Sequence, residues 1–167
     1  MIRDAVGDAD IAQVRRLFAA YAASLDVDLC FQGFGRELTD LPGDYVPPRG
    51  CLLLAEEDGN AQGCVALRPL PGADDTAVGI GEVKRLYVEP RARGARVGRL
   101  LMQALIARAR VAGYRELKLD TLATMTSARS LYASLGFREC AAYYDNPLPG
   151  VTYMSVALRQ SESGQRR

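Results

Sequence analysis

The stretch Arg91-Ala92-Arg93-Gly94-Ala95-Arg96-Val97-Gly98-Arg99 puts four guanidinium groups and two glycines where a helix is expected to begin. That arrangement suits an anion. The first N–H groups of a helix have no partner within it and point outward, and the aligned peptide dipoles add roughly half a positive charge there. Glycine lets a ligand come close to the backbone, and phosphate is the expected guest. No Gly-Lys-Ser/Thr follows, and the spacing Gly-x-Gly-x-x-Gly is absent, so neither a P-loop nor a dinucleotide-binding turn is indicated. The chain has no histidine, which excludes Ser-His-Asp and Cys-His nucleophilic sets. Cys30, Cys51, Cys64 and Cys140 lie far apart with no Cys-x-x-Cys, so the usual zinc spacings are missing and no metal is expected. Cys51 and Cys64 sit in apolar runs and read as small buried hydrophobes.

The basic loop must be held by what flanks it. Before it, Val83, Leu86, Tyr87 and Val88 form a β-type apolar run that stops at Pro90, which has no N–H for a ladder, so a strand ends near Glu89. After it, Val97, Leu100, Leu101, Ala104, Leu105 and Val111 recur at helical spacing, and Gly113 supplies the stop. Upstream, residues 2–5 suit a short edge strand. Asp8 or Asp10 suits the N-cap of a helix running to about Ser24, with Ile11, Val14, Leu17, Phe18, Tyr21 and Leu25 on one face. Residues 34–41 could form a short helix. Residues 51–55 and 63–67 are two β-type runs around Asp58-Gly59, a hairpin signal. The Pro- and Gly-rich residues 69–77 read as an exposed loop.

Downstream, residues 116–121 alternate as a strand. A helix of two to three turns should follow from a Thr or Ser cap near Thr124, with Ala128, Leu131, Tyr132 and Leu135 inward and Gly136 ending it. Residues 138–144 and 151–158 read as two more strands, joined by a wide loop containing Pro147 and Pro149. Length and an apolar share of 49% fit one domain over residues 1–158, with residues 159–167 a polar, disordered tail. The net charge of +1 makes the arginines a local patch and argues against nucleic acid as a partner. No secretory signal pattern opens the chain and no apolar run approaches membrane-spanning length, so no membrane partner and a cytoplasmic setting with reduced thiols are expected.

Val88-Glu89-Pro90 followed by Arg93-Gly94-Ala95-Arg96-Val97-Gly98 resembles the Arg/Gln-x-x-Gly-x-Gly/Ala signature of the GNAT superfamily of acyl-CoA-dependent N-acyltransferases, with Arg96 where the middle glycine usually stands. Ala128, Leu131, Tyr132, Gly136 and Phe137 resemble its second signature, with Met125 in place of the usual Asn. The resemblance spans about residues 8–158, with its specific motifs confined to 82–137. It implies an α/β (α+β) fold: a mixed, mostly antiparallel sheet of six to seven strands with helices on both faces. It also implies acetyl-CoA as co-substrate, its pyrophosphate on Arg93, Gly94, Ala95, Arg96, Val97, Gly98 and Arg99. The backbone of Leu86, Tyr87 and Val88 would hold the acyl carbonyl and pantetheine amides.

By the same resemblance Glu82 aligns with a catalytic glutamate of some members and would act as general base, directly or through a water. Tyr132 would lie beside the cofactor sulfur as general acid. The region around Phe31, Gln32, Phe34 and Tyr45 would form one wall of the acceptor site, and Lys84 or Arg85 pointing into it would suit an amine that carries a carboxylate. The expected acceptor is a small-molecule amine, attacked directly in a ternary complex. Protein N-terminal or lysine acetylation and a non-catalytic acyl-CoA sensor are the alternatives, and a homodimer is left open.

Overall fold

The structure, a computed structural model, describes residues 1–71 and 79–159. The expected loop at 69–77 falls mostly outside these residues, as does the tail beyond 159. β1 (Ile2–Asp4) leads to α1 (Gly7–Ser24), a 3₁₀ turn (Cys30–Gln32) and α2 (Phe34–Asp40), then to β2 (Cys51–Glu57), β3 (Asn60–Pro69) and β4 (Ile80–Val88). A second 3₁₀ turn (Pro90–Ala92) precedes α3 (Val97–Val111), β5 (Glu116–Leu122), α4 (Thr126–Ser134), β6 (Arg138–Cys140) and β7 (Val151–Ala157).

The strands form one seven-stranded sheet in the order β1-β2-β3-β4-β5-β7-β6. Every neighbouring pair is antiparallel except β4 with β5. The β2–β3 hairpin closes through Asp58 (φ 50°) and Gly59 (φ 76°), both left-handed as a type I′ turn requires. α1 lays Val14, Leu17 and Phe18 against one sheet face, on Leu52, Leu54, Cys64 and Tyr87. α3 and α4 cover the other face, where Leu101, Leu105, Tyr132 and Phe137 pack on Leu53, Val65, Val83 and Leu119. Covered on both faces, β2 and β3 read as nearly continuous apolar runs. No helix among the described residues is long and apolar enough to cross a membrane.

Four local expectations are corrected. Of the stripe expected on α3, Leu100 and Val111 are exposed, and Met102 and Ala109 are buried instead. α1 is capped at Val6, and the Asp10 carboxylate reaches back from the first turn to accept the Val6 N–H at 2.8 Å. α4 starts after Met125 with no hydroxyl cap. β6 ends at Cys140, so residues 141–144 leave the sheet. They do so because Tyr143 and Tyr144 turn their hydroxyls inward to two acidic side chains, Glu82 and Asp120.

Candidate active site

The site begins with a parting of strands. β4 and β5 pair in register only from Ile80↔Glu116 to Glu82↔Lys118, after which both strands run on without bonding each other. The gap exposes backbone groups of β4. Glu89 donates its N–H to Gln62 of β3, so by the alternation of a strand the N–H groups of Val88 and Leu86 face the gap. The Val88 carbonyl faces it too and accepts from Arg93 Nε at 3.0 Å.

A bulge in β4 sets which side chains reach the site. Cys64 pairs with Tyr87 and Ala66 with Lys84, so Val65 stands opposite both Arg85 and Leu86. Arg85 takes a left-handed φ of 59°, costly for a branched-free but bulky side chain. The extra residue turns Arg85 to the same sheet face as Glu82 and Lys84, toward α1 and α2. There its guanidinium meets Glu37 through two bonds of 3.2 and 2.6 Å and lies over the rings of Tyr21 and Phe34 at 5.7 and 5.0 Å.

Beyond the gap runs a groove of about 1040 Å³. Of the residues expected to hold the cofactor, Leu86, Tyr87, Val88, Arg93, Gly94, Arg96, Val97, Gly98 and Arg99 line it, and Ala95 does not. The N–H groups of residues 97–99 open α3 with no backbone partner among the described residues. Arg96 holds the left-handed conformation (φ 61°) that its glycine-like position demands. Of the four guanidinium groups of the loop, Arg91 is tied to Glu89, Arg93 to Val88 and Arg99 to Ser134. Arg96 has no side-chain partner among the described residues. Met125 lines the groove where the resemblance has an Asn, flanked by Thr124, Thr126 and Ser127, whose hydroxyls the motif reading overlooked.

At the inner end of the groove is a narrow cavity of about 30 Å³ bounded by Lys84, Arg85, Leu86, Asp120 and Tyr132. Tyr132 is 5% exposed, its ring 5.8 Å from Phe137, and its hydroxyl has no hydrogen-bond partner among the described residues. Burial pushes that phenol up, with the Tyr21 and Asp120 side chains adding to the effect, so it is protonated at neutral pH.

A third space, about 260 Å³, adjoins the narrow one through the shared walls of Gln32, Lys84 and Arg85. Its floor is Glu82, only 2% exposed. Glu82 accepts from Arg68 Nε at 3.1 Å, from the Tyr143 hydroxyl at 3.4 Å, and pairs with Lys84 Nζ at 3.4 Å. Lys84 Nζ also reaches Gln32 Oε1 at 3.3 Å and Asp120 Oδ1 at 3.8 Å. Burial lowers the Lys84 ammonium from its ordinary value, against the pull of Glu82 and Asp120. Asp120 Oδ2 accepts from the Tyr144 hydroxyl at 2.6 Å and from Asn146 at 3.2 Å, and Gln32 in turn donates to the Tyr144 oxygen at 3.0 Å.

Glu82 and Tyr132 are therefore brought to adjoining spaces, with Lys84 between them. Of the expected acceptor wall, Gln32 lines the third space, while Phe34 backs Arg85. Tyr45 is buried against Phe18 and donates its hydroxyl to Glu37 at 2.5 Å, a supporting place rather than a contact surface. The side chain of Phe31 lies outside the described residues. Sequence reasoning missed Arg68, Asp120, Tyr143 and Tyr144. Arg68 had a signal, because the β3–β4 register sets it opposite Glu82 as a cross-strand charge pair. Asp120 sits on the polar side of the β5 alternation; the two tyrosines had no signal, since their role depends on leaving the sheet.

Comparison with known proteins bears on this geometry. The model of the Acetyltransferase (GNAT) family matches residues 18–137. An uncharacterized N-acetyltransferase of Schizosaccharomyces pombe is 39% identical over 150 residues, covering 89% of each chain. A Klebsiella pneumoniae structure described as an acyl-CoA N-acyltransferase is 30% identical with a TM-score of 0.71, covering 95% of this chain and 97% of that one. The structure of yncA from Salmonella typhimurium, solved with its cofactor acetyl-CoA, shares the fold at 22% identity and a TM-score of 0.68, covering 100% of this chain and 98% of that one.

Proposed function

Because the chain belongs to the GNAT family of acetyltransferases, we propose that it moves the acetyl group of acetyl-CoA to the primary amine of a small molecule, by direct attack with both substrates bound. The observation that carries this reading is the run of three adjoining spaces: a groove beside the α3 N-terminus, a narrow passage between β4 and β5, and a pocket over Glu82. The groove suits CoA, with pyrophosphate on the N–H groups of Gly94 and of residues 96–99 and the pantetheine arm along β4. A pocket of about 260 Å³ walled by Gln32 and by Tyr143 and Tyr144 supports a compact acceptor over a polypeptide.

In this reading the N–H groups of Leu86 and Val88 bind the thioester end and stabilise the tetrahedral oxyanion. Glu82 takes one proton of the incoming ammonium, directly or through a water, and the nitrogen gives up its second to solvent as the tetrahedral intermediate collapses. The amine nitrogen bonds to the acetyl carbon, the carbon–sulfur bond breaks, and the thiolate receives a proton from Tyr132, which solvent replaces. The products are an N-acetyl amine and CoA thiol.

The test is thiol release from acetyl-CoA with a panel of small amines and peptides. Glu82→Gln should lower turnover by about 10² to 10⁴ while leaving CoA affinity intact, with a smaller deficit at high pH. Thiol release with no amine in the panel would refute the transferase reading, preference for peptides would change the acceptor class, and a fully active Glu82→Gln variant would remove that carboxylate from the mechanism.

A further inference from the structure

Around the acceptor pocket the carboxylates are as many as the cations, but the two are not evenly engaged. Three cations, Arg68, Lys84 and Arg85, face it, with side-chain exposures of 25%, 5% and 3%. Within hydrogen-bond range they share two carboxylates. Glu37 is fully engaged by Arg85, and the single carboxylate of Glu82 serves both Arg68 and Lys84. Asp120 stands off from Lys84 at 3.8 Å with its other oxygen given to Tyr144 and Asn146. Asp145 lines the pocket at its exposed rim and makes no described ion pair. Glu82 is divided between Arg68 and Lys84, so an anionic group arriving beside Arg68 would take over part of that pairing and form charge-assisted hydrogen bonds of its own. Arg68 spends Nε and Nη2 on Glu82 and keeps Nη1 for another acceptor, and it is the most open of the three.

We infer that the acceptor is a zwitterionic amine, an α-amino acid or a close analogue, whose carboxylate binds at Arg68 and Lys84 while its amino group reaches past Glu82 to the passage beside Asp120 and Tyr132. The inference rests on the acetyl-transfer reading above and names its acceptor class. A carboxylate at that end gives Arg68 a second anionic partner and lets Glu82 turn toward the nitrogen. The remaining acidic groups, Glu82 and Asp120, lie where the ammonium must pass. Neither a polyamine nor an uncharged alkylamine carries a group that would use the open Nη1 of Arg68.

The experiment compares each α-amino acid with its methyl ester and its decarboxylated amine, by thiol release and by calorimetric titration into CoA-loaded protein. The acids should exceed their esters in kcat/KM by about ten- to a hundredfold, because a site built to bind a charged group discriminates strongly against its absence. Arg68→Gln should erase most of that ratio and Arg68→Lys should restore part of it, a pattern that general damage to the fold would not produce. Equal use of acid, ester and decarboxylated amine would overturn the inference while leaving acetyl transfer intact. If no amine is acetylated but the acids still bind more tightly than their esters, the anion site stands and the transferase reading falls. If the acids bind no better, the inference falls as well.

Discussion

Removing the charge of Glu37 isolates the buried pair that fixes the β4 bulge. Arg85 is 3% exposed, holds a left-handed backbone, and directs two N–H groups at the Glu37 oxygens, one of them at 2.6 Å. Glu37→Gln keeps the shape but leaves a guanidinium in the interior with no full counter-charge. Breaking one side of such a pair costs about 3 to 5 kcal/mol. Glu37 is 14% exposed beside a cavity that water can enter, so the low end, about 3 kcal/mol, is expected. For a chain of this size that is a fall in Tm of about 6 to 12 °C.

The same pair sets the pH dependence. Burial alone would raise Glu37, but the hydrogen bonds and charge of Arg85 outweigh it and hold the carboxyl below its ordinary value of 4.5. A depressed carboxyl contributes fully above its unfolded pKa and loses that contribution as pH falls through the folded one. The stability gap between wild type and Glu37→Gln should therefore be constant near neutrality and narrow below pH 4.5. Urea denaturation of both proteins across that range measures it. A neutral-pH gap under about 1 kcal/mol, or a gap that stays level into acid, would refute the claim that this ion pair holds the bulge.

Three other substitutions test separate parts of the site. At Gly98 an added Cβ would meet only ordinary contacts, Leu131 at 3.4 Å and Val88 at 3.7 Å, and an acidic residue in the first turn favours the helix. Gly98→Asp should therefore fold normally yet lose at least about tenfold in CoA affinity through like-charge contact, and unchanged affinity by calorimetry would move the pyrophosphate elsewhere. Arg96→Gly should raise stability by up to about 1 kcal/mol because it relieves a left-handed side-chain residue, and a lower Tm would show that the guanidinium itself supports the loop. Tyr132→Phe should slow the chemical step by about ten- to a thousandfold with Tm and acetyl-CoA affinity near wild type, and an unchanged single-turnover rate would return Tyr132 to packing alone.

What could be read from the sequence was local. The strand that ends before Pro90, the arginine and glycine loop and the Asp58-Gly59 hairpin each depend on residues within a few positions of one another, and each was found in place. The α3 helix was found too, but its buried face is turned from the expected stripe, with Met102 and Ala109 inside and Leu100 and Val111 exposed. The mostly antiparallel sheet with helices on both faces also followed, through family resemblance. The caps of α1 and α4 were misjudged because a hydroxyl or carboxylate near a helix start is only one way to meet the first N–H groups; Asp10 meets the Val6 N–H from inside the helix. The early end of β6 was hidden because Tyr143 and Tyr144 suit a strand by type and are drawn out of it by acids on β4 and β5.

The pocket over Glu82, proposed to take the acceptor, was the least legible part for a related reason. Its residues alternate on no single element: Arg68 comes from β3, Glu82 and Lys84 from β4, Asp120 from β5, and Gln32 from a 3₁₀ turn. Above all, a strand with strict alternation would send Lys84 and Arg85 to opposite faces. The one-residue bulge puts both on the same face, and it occurs at an arginine with a positive φ, where no glycine announces it. The glycine-rich loop and helix start that suit CoA are marked in the chain by residue type. The charges that would choose the acceptor are set by strand register and one bulge, so two chains alike in the first could differ widely in the second. Substitutions that alter the bulge, at Glu37 or Arg85, should therefore change acceptor use more than CoA affinity.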